Sequence, residues 1–96
     1  MGVKTFRKQG TVQALQFIDT PERIQEIIEW AEAYNVIIRI KTVYANDRDY
    51  VGQPHLEIPT LEGIMYAPPG AWVCKGVEDE FWFVKESIFE KTYQEV

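Results

Sequence analysis

His55 and Cys74 are the residues best suited to do chemistry in this 96-residue chain, and each is the sole residue of its kind. A general base or a metal ligand needs partners, and the nearest carboxylates to His55 in sequence are Asp47, Asp49 and Glu57. Carboxylates beside a histidine in a polar loop are ordinary, so this grouping does not make a site. Cys74 follows Trp72 by two residues and shares its face in a predicted strand. A nucleophilic thiol needs a histidine base and a polar cradle, and the flanking sequence supplies neither, so Cys74 reads as a buried structural thiol. Gly52, Gly63, Gly70 and Gly76 are isolated turn glycines, and no glycine-rich phosphate loop is present. Glu22, Glu26, Glu29 and Glu32 form the solvated side of a helix. The reading is non-enzymatic, with no catalytic residue, no metal and no cofactor.

Two groups of side chains suit binding instead. Trp72, Phe81, Trp82 and Phe83 lie on adjacent strands of one predicted hairpin, with Phe81 and Phe83 on one face and Trp82 on the other. A strand that is apolar on both faces is either enclosed by a curled sheet or completed by a second molecule, so these four are candidate interface residues. In that reading Trp82 lies at whichever interface exists, and a homodimer is expected. Arg39, Lys41 and Arg48 are candidate contacts for an anionic ligand, since guanidinium groups beside aromatic rings suit nucleotides.

The elements that must position these groups follow from periodicity. Residues 4–18 read as a strand pair or one bent strand, with Val12, Ala14 and Gln16 alternating with Gln13, Leu15 and Phe17, Leu15 and Phe17 on the buried face and a bend or bulge at Gly10. Thr20 is a good N-cap, Pro21 suits the first helical position, and Glu22 complements the helix dipole. Ile24, Ile27, Ile28, Ala31 and Tyr34 then draw one apolar stripe, and Asn35 can stop the helix in the left-handed region. Residues 36–44 are a β-branched strand with Ile38 and Ile40 opposite Arg39 and Lys41, and residues 45–55 are a polar loop. Residues 56–67 form a hairpin turning at Glu62-Gly63, and Pro68-Pro69-Gly70 is a sharp turn. Residues 71–77 and 81–84 pair across the turn Glu78-Asp79-Glu80. Ser87 caps a single helical turn, and residues 91–96 add an edge strand. The expectation is a single α+β domain over residues 1–96. One amphipathic helix packs on a curled, mainly antiparallel sheet of five or six strands.

Composition bounds the function classes. The chain is 46% hydrophobic and carries five Phe, five Tyr and three Trp, enough to fill a small core. One cysteine excludes an intramolecular disulfide and favours a reducing compartment. No apolar run reaches the ~20 residues of a membrane span. The start MGVKTFRKQG lacks the apolar region of a signal peptide, and Phe6 stands where a myristoylation motif requires Ser or Thr. A net charge of −5 argues against general nucleic-acid binding, although Lys4, Arg7 and Lys8 cluster near the start.

Three stretches carry a family resemblance: residues 6–17 (FRKQGTVQALQF), residues 60–63 (TLEG) with Pro69-Gly70, and residues 88–93 (IFEKTY). Together they resemble a family of small proteins encoded by bacteriophages and prophages. In that family an N-terminal K-K-P-V-x-V-E-A-x-Q stretch precedes T-L-E-G-x-M-x-A-x-P-G-D and a closing I-F-x-x-T-Y. The resemblance spans both ends of the chain and so concerns the whole domain. Gly10-Thr11 replaces the family's Pro-Val, Gln13 its Glu and Ala71 its Asp, and residues 82–85 (WFVK) stand where it has Tyr-Pro-Cys-Lys. A polar function carried by that Glu and Asp would be absent here. The resemblance implies a phage accessory protein in the bacterial host cytoplasm and implies no activity. The expected action is stoichiometric binding to a host or phage protein. The alternative is a small-molecule or nucleotide-binding protein that sequesters its ligand.

Overall fold

The computed structural model describes residues 2–5, 11–44 and 52–95. Among them the chain forms β1 (Gln13–Gln16), α1 (Pro21–Glu32), β2 (Arg39–Val43), β3 (Gln53–Thr60), β4 (Gly63–Ala67), β5 (Trp72–Lys75), β6 (Phe81–Val84) and α2 (Glu86–Thr92). The class is α+β, as expected, but the strands do not form one curled sheet. They form two antiparallel three-stranded sheets, ordered β1-β5-β6 and β2-β3-β4.

The division occurs between β4 and β5. Pro68 and Pro69 have no N–H to extend a ladder, and Gly70 adopts φ +93°, a conformation costly for any residue with a Cβ. The chain leaving this turn is captured by the end of β1. Gly70 N–H donates to the Phe17 carbonyl (2.7 Å), and Phe17 N–H donates to the Ala71 carbonyl (2.8 Å). That exchange carries residues 71–84 into the sheet of β1 and away from β4. The sheets still meet where β3 lies beside β6. Each proline of β3 is paired on one side only: Pro54 faces Thr42 of β2 but lies beyond the last β4 pair, Leu56–Ala67, and Pro59 faces Ile64 of β4 but lies beyond the first β2 pair, Arg39–Glu57.

Helix α1 begins as its sequence dictates. Thr20 is extended, and its hydroxyl accepts from Arg23 N–H at 3.2 Å. The helix stops at Glu32, and Asn35 takes the left-handed conformation (φ 63°) just beyond. Ile27 and Ala31 are fully buried, and Ile24, Trp30 and Tyr34 pack beside them. One core cluster unites this helix with Phe17, Ile38, Leu56, Ile58, Ala67, Ala71, Val73 and Phe81, drawn from both sheets and their flanks. Each of the larger side chains in it, from valine to phenylalanine, contributes roughly 1.5–3 kcal/mol of burial energy.

Further expectations change, the first being the strand over residues 4–18, which among the described residues is confined to Gln13–Gln16. Residues 53–55 belong to β3, so the polar loop ends earlier than expected, and Gly10, Asp47, Arg48 and Asp49 lie outside the described residues. Residues 36–38 precede β2 as irregular chain, although Ile38 is buried and Ile37 is exposed, as alternation requires. A second helix replaces both the single turn and the closing edge strand: α2 runs through Lys91 and Thr92, with Lys85, not Ser87, at its N-cap. No helix among the described residues is long and apolar enough to cross a membrane.

Candidate functional site

The register of the β1-β5-β6 sheet separates its aromatic residues. Val73 and Phe83 share one face with Phe81 and Lys75; Trp72, Cys74, Trp82 and Val84 share the other. Phe81 lies on the α1 side, with Trp30 edge-on at 5.1 Å and Tyr34 at 6.2 Å between ring centroids. It is 2% exposed and offers no surface to a partner. Phe83 packs against the same core. On the opposite face α2 supplies what the sheet lacks. Phe89 stacks on Trp72 at 4.4 Å and 7°, and Tyr93 stacks on Phe89 at 4.8 Å. Trp72 Nε1 is buried without a hydrogen-bond acceptor among the described residues. Trp82 is half-buried on this face. The sheet is thus apolar on both sides because a helix covers each. Cys74 is buried, with Sγ 3.7 Å from the Trp72 carbonyl.

The other candidates gather on the outer face of the β2-β3-β4 sheet. Arg39 pairs with Glu57 and Lys41 with His55, and Glu57 pairs in turn with Tyr66 of β4. Lys41 Nζ lies 5.8 Å from the Tyr66 ring centroid. His55 Nδ1 lies 3.1 Å from the Gln53 carbonyl. Among the described residues, no three His, Cys, Asp or Glu side chains are placed to hold a metal ion. Arg39 and Lys41 are therefore brought together with an aromatic ring and a histidine, while Arg48 lies outside the described residues.

A concavity that the sequence did not reveal lies where three connecting segments converge. It is a shallow, open groove of about 480 Å³. Asn35, Val36 and Ile37 come from the exit of α1, Pro59, Thr60 and Leu61 from the β3–β4 turn, and Glu78, Asp79, Glu80 and Phe81 from the β5–β6 turn. Local chemistry fixes each segment. Asn35 supplies the left-handed turn that sends Val36 and Ile37 off the helix, and Val36 N–H donates back to the Ala31 carbonyl at 3.0 Å. Thr60 Oγ1 accepts from Glu62 N–H (3.1 Å) and donates to the Gly63 carbonyl (2.6 Å), holding Leu61 at the hairpin tip. In the acidic turn, Asp79 has φ 62°, its N–H donates to the Gly76 carbonyl, and Glu78 N–H donates to Glu80 Oε2 at 2.9 Å.

The groove is apolar within and acidic at one rim. Leu61 is 87% and Ile37 62% exposed, so both present aliphatic surface at the groove. Lys75 Nζ donates to Asp79 Oδ1 at 3.1 Å while lying over the Tyr34 ring, which balances one of the three carboxylates. Of this site the sequence marked Asn35 as a left-handed helix stop and Glu78-Asp79-Glu80 as a turn, and it gave no signal that Ile37 and Leu61 would meet them. Comparison with family models, with curated proteins and with solved structures finds no match.

Proposed function

We propose that this chain is a small phage-type accessory protein that acts in the host cytoplasm by stoichiometric, non-enzymatic binding to a host or phage protein. The observation carrying this reading is the groove bounded by Ile37, Leu61 and the Glu78–Glu80 turn. Its exposed aliphatic side chains favour an apolar anchor from a partner, and its acidic rim favours Lys or Arg beside that anchor. The fitting occupant is therefore a protein segment with an aliphatic side chain flanked by a basic one. Capture from host lysate by the wild-type chain, by Leu61→Asp and by Ile37→Asp tests this. One protein is expected in one-to-one amount with the wild type and reduced at least tenfold with either variant. Equal recovery by all three would remove the groove from the reading, and no stoichiometric partner at all would remove the function.

A second reading has its own support in the outer face of the β2-β3-β4 sheet. Arg39, Lys41 and Tyr66 together could seat the ring and phosphate of a nucleotide, making the chain a sequestering protein. Calorimetric titration with nucleotides distinguishes the two: binding abolished by Tyr66→Ala would favour this reading, and no heat with any nucleotide would end it.

A further inference from the structure

Among the described residues the two sheets have four outer strands, and β4 is the one least protected against pairing with another chain. β6 lies beside β3. β1 is short and ends in polar Gln13 and Gln16, the latter tied to the Gly70 carbonyl at 3.0 Å. β2 carries Arg39 and Lys41, and antiparallel pairing of β2 with itself about its central residue would set Lys41 against Lys41. β4 has no charge and no proline from Gly63 to Ala67, and among the described residues no strand pairs with its outer edge. Ile64, Met65 and Tyr66 are 59%, 38% and 42% exposed, three consecutive large apolar residues on both faces of one edge strand.

We infer that β4 is a homodimer contact, pairing antiparallel with β4 of a second copy to give a continuous six-stranded sheet. The occupant follows from self-complementarity. With the two-fold axis at Met65, Ile64 stands opposite Tyr66 of the second copy, Gly63 opposite Ala67, and Met65 opposite itself. Both faces then join apolar to apolar, with a β-branched residue against an aromatic ring, a favourable cross-strand pair. Alternate residues of β4 turn their N–H and C=O groups away from β3, and the second copy satisfies them. The chain carries −5 overall, which opposes association, but residues 63–69 contain no Asp, Glu, Lys, Arg or His, so no carboxylate of β4 meets its own copy. The inference stands on the edge of β4 and not on the groove.

Sedimentation equilibrium of the full chain tests it. The wild type is expected to approach twice its 11.2 kDa mass with rising concentration. Ile64→Lys is expected to weaken dimerisation at least tenfold with unchanged circular dichroism, and Lys41→Ala on β2 to leave it intact or strengthen it. Met65→Cys places like residues at the axis, where an antiparallel pair has the spacing a disulfide requires. Mild oxidation should link this variant into a covalent dimer and leave Ile40→Cys unlinked. A wild type that stays monomeric at millimolar concentration, a dimer unaffected by Ile64→Lys, or equal cross-linking of both cysteine variants would each overturn the assignment. Since none of these outcomes involves Ile37 or Leu61, the dimer and the groove can fail separately.

Discussion

Trp72 shows how a single side chain both stabilises and burdens this fold. Its ring lies nearly parallel to Phe89 at 4.4 Å, but its buried Nε1 finds no acceptor among the described residues. An orphaned buried donor costs roughly 1–3 kcal/mol, whereas an aromatic pair returns about 0.5–1.5 kcal/mol beyond its burial. Trp72→Phe keeps a ring and removes the donor, so it is expected to stay within about 1 kcal/mol of the wild type. Phe89→Ala removes the stacking partner of both Trp72 and Tyr93 and is expected to cost about 2–4 kcal/mol. Urea denaturation followed by circular dichroism measures both, and a costly Trp72→Phe with a harmless Phe89→Ala would contradict the assignment. The separation of Phe81 and Phe83 from Trp82 was legible from alternation alone. That α2 would roof the Trp72 side was not, because Ile88, Phe89 and Tyr93 make too short an apolar pattern to announce a seven-residue helix.

Elements with local signals were readable, and those defined by distant pairing were not. Helix α1 declares itself through Thr20, Pro21 and the Ile24–Tyr34 stripe, each of which acts within a turn or two of chain. The β3–β4 and β5–β6 hairpins follow from adjacent strands and the turns between them. The split into two sheets depends on β1 meeting β5 nearly sixty residues later, which alternation cannot specify. The same limit hid the groove, whose walls are three turns brought together only by the fold. Asn35 tests the link between helix exit and groove. Asn35→Gly suits φ 63° and is expected to leave stability nearly unchanged, while Asn35→Ala is expected to cost about 1 kcal/mol. Thermal denaturation reads both, and equal stability of the two variants would show that the left-handed turn is not retained.

At the scale of the whole molecule the shape is extended. The protein measures 51 × 33 × 24 Å with a radius of gyration of 15.1 Å, against ~12.5 Å for a compact chain of this length. The extra reach accompanies a β2-β3-β4 sheet whose outer strands are largely exposed, leaving surface for partners that a smaller, rounder fold would have buried. The central claim is that a partner protein occupies the groove, and Leu61 at its lip is the most direct reporter. A photo-crosslinking amino acid placed at Leu61 in the chain expressed in bacterial cells should give one discrete adduct with a single other protein. Adding Ile37→Asp should abolish it. No adduct, or adducts only with a second copy of this chain, would contradict the account.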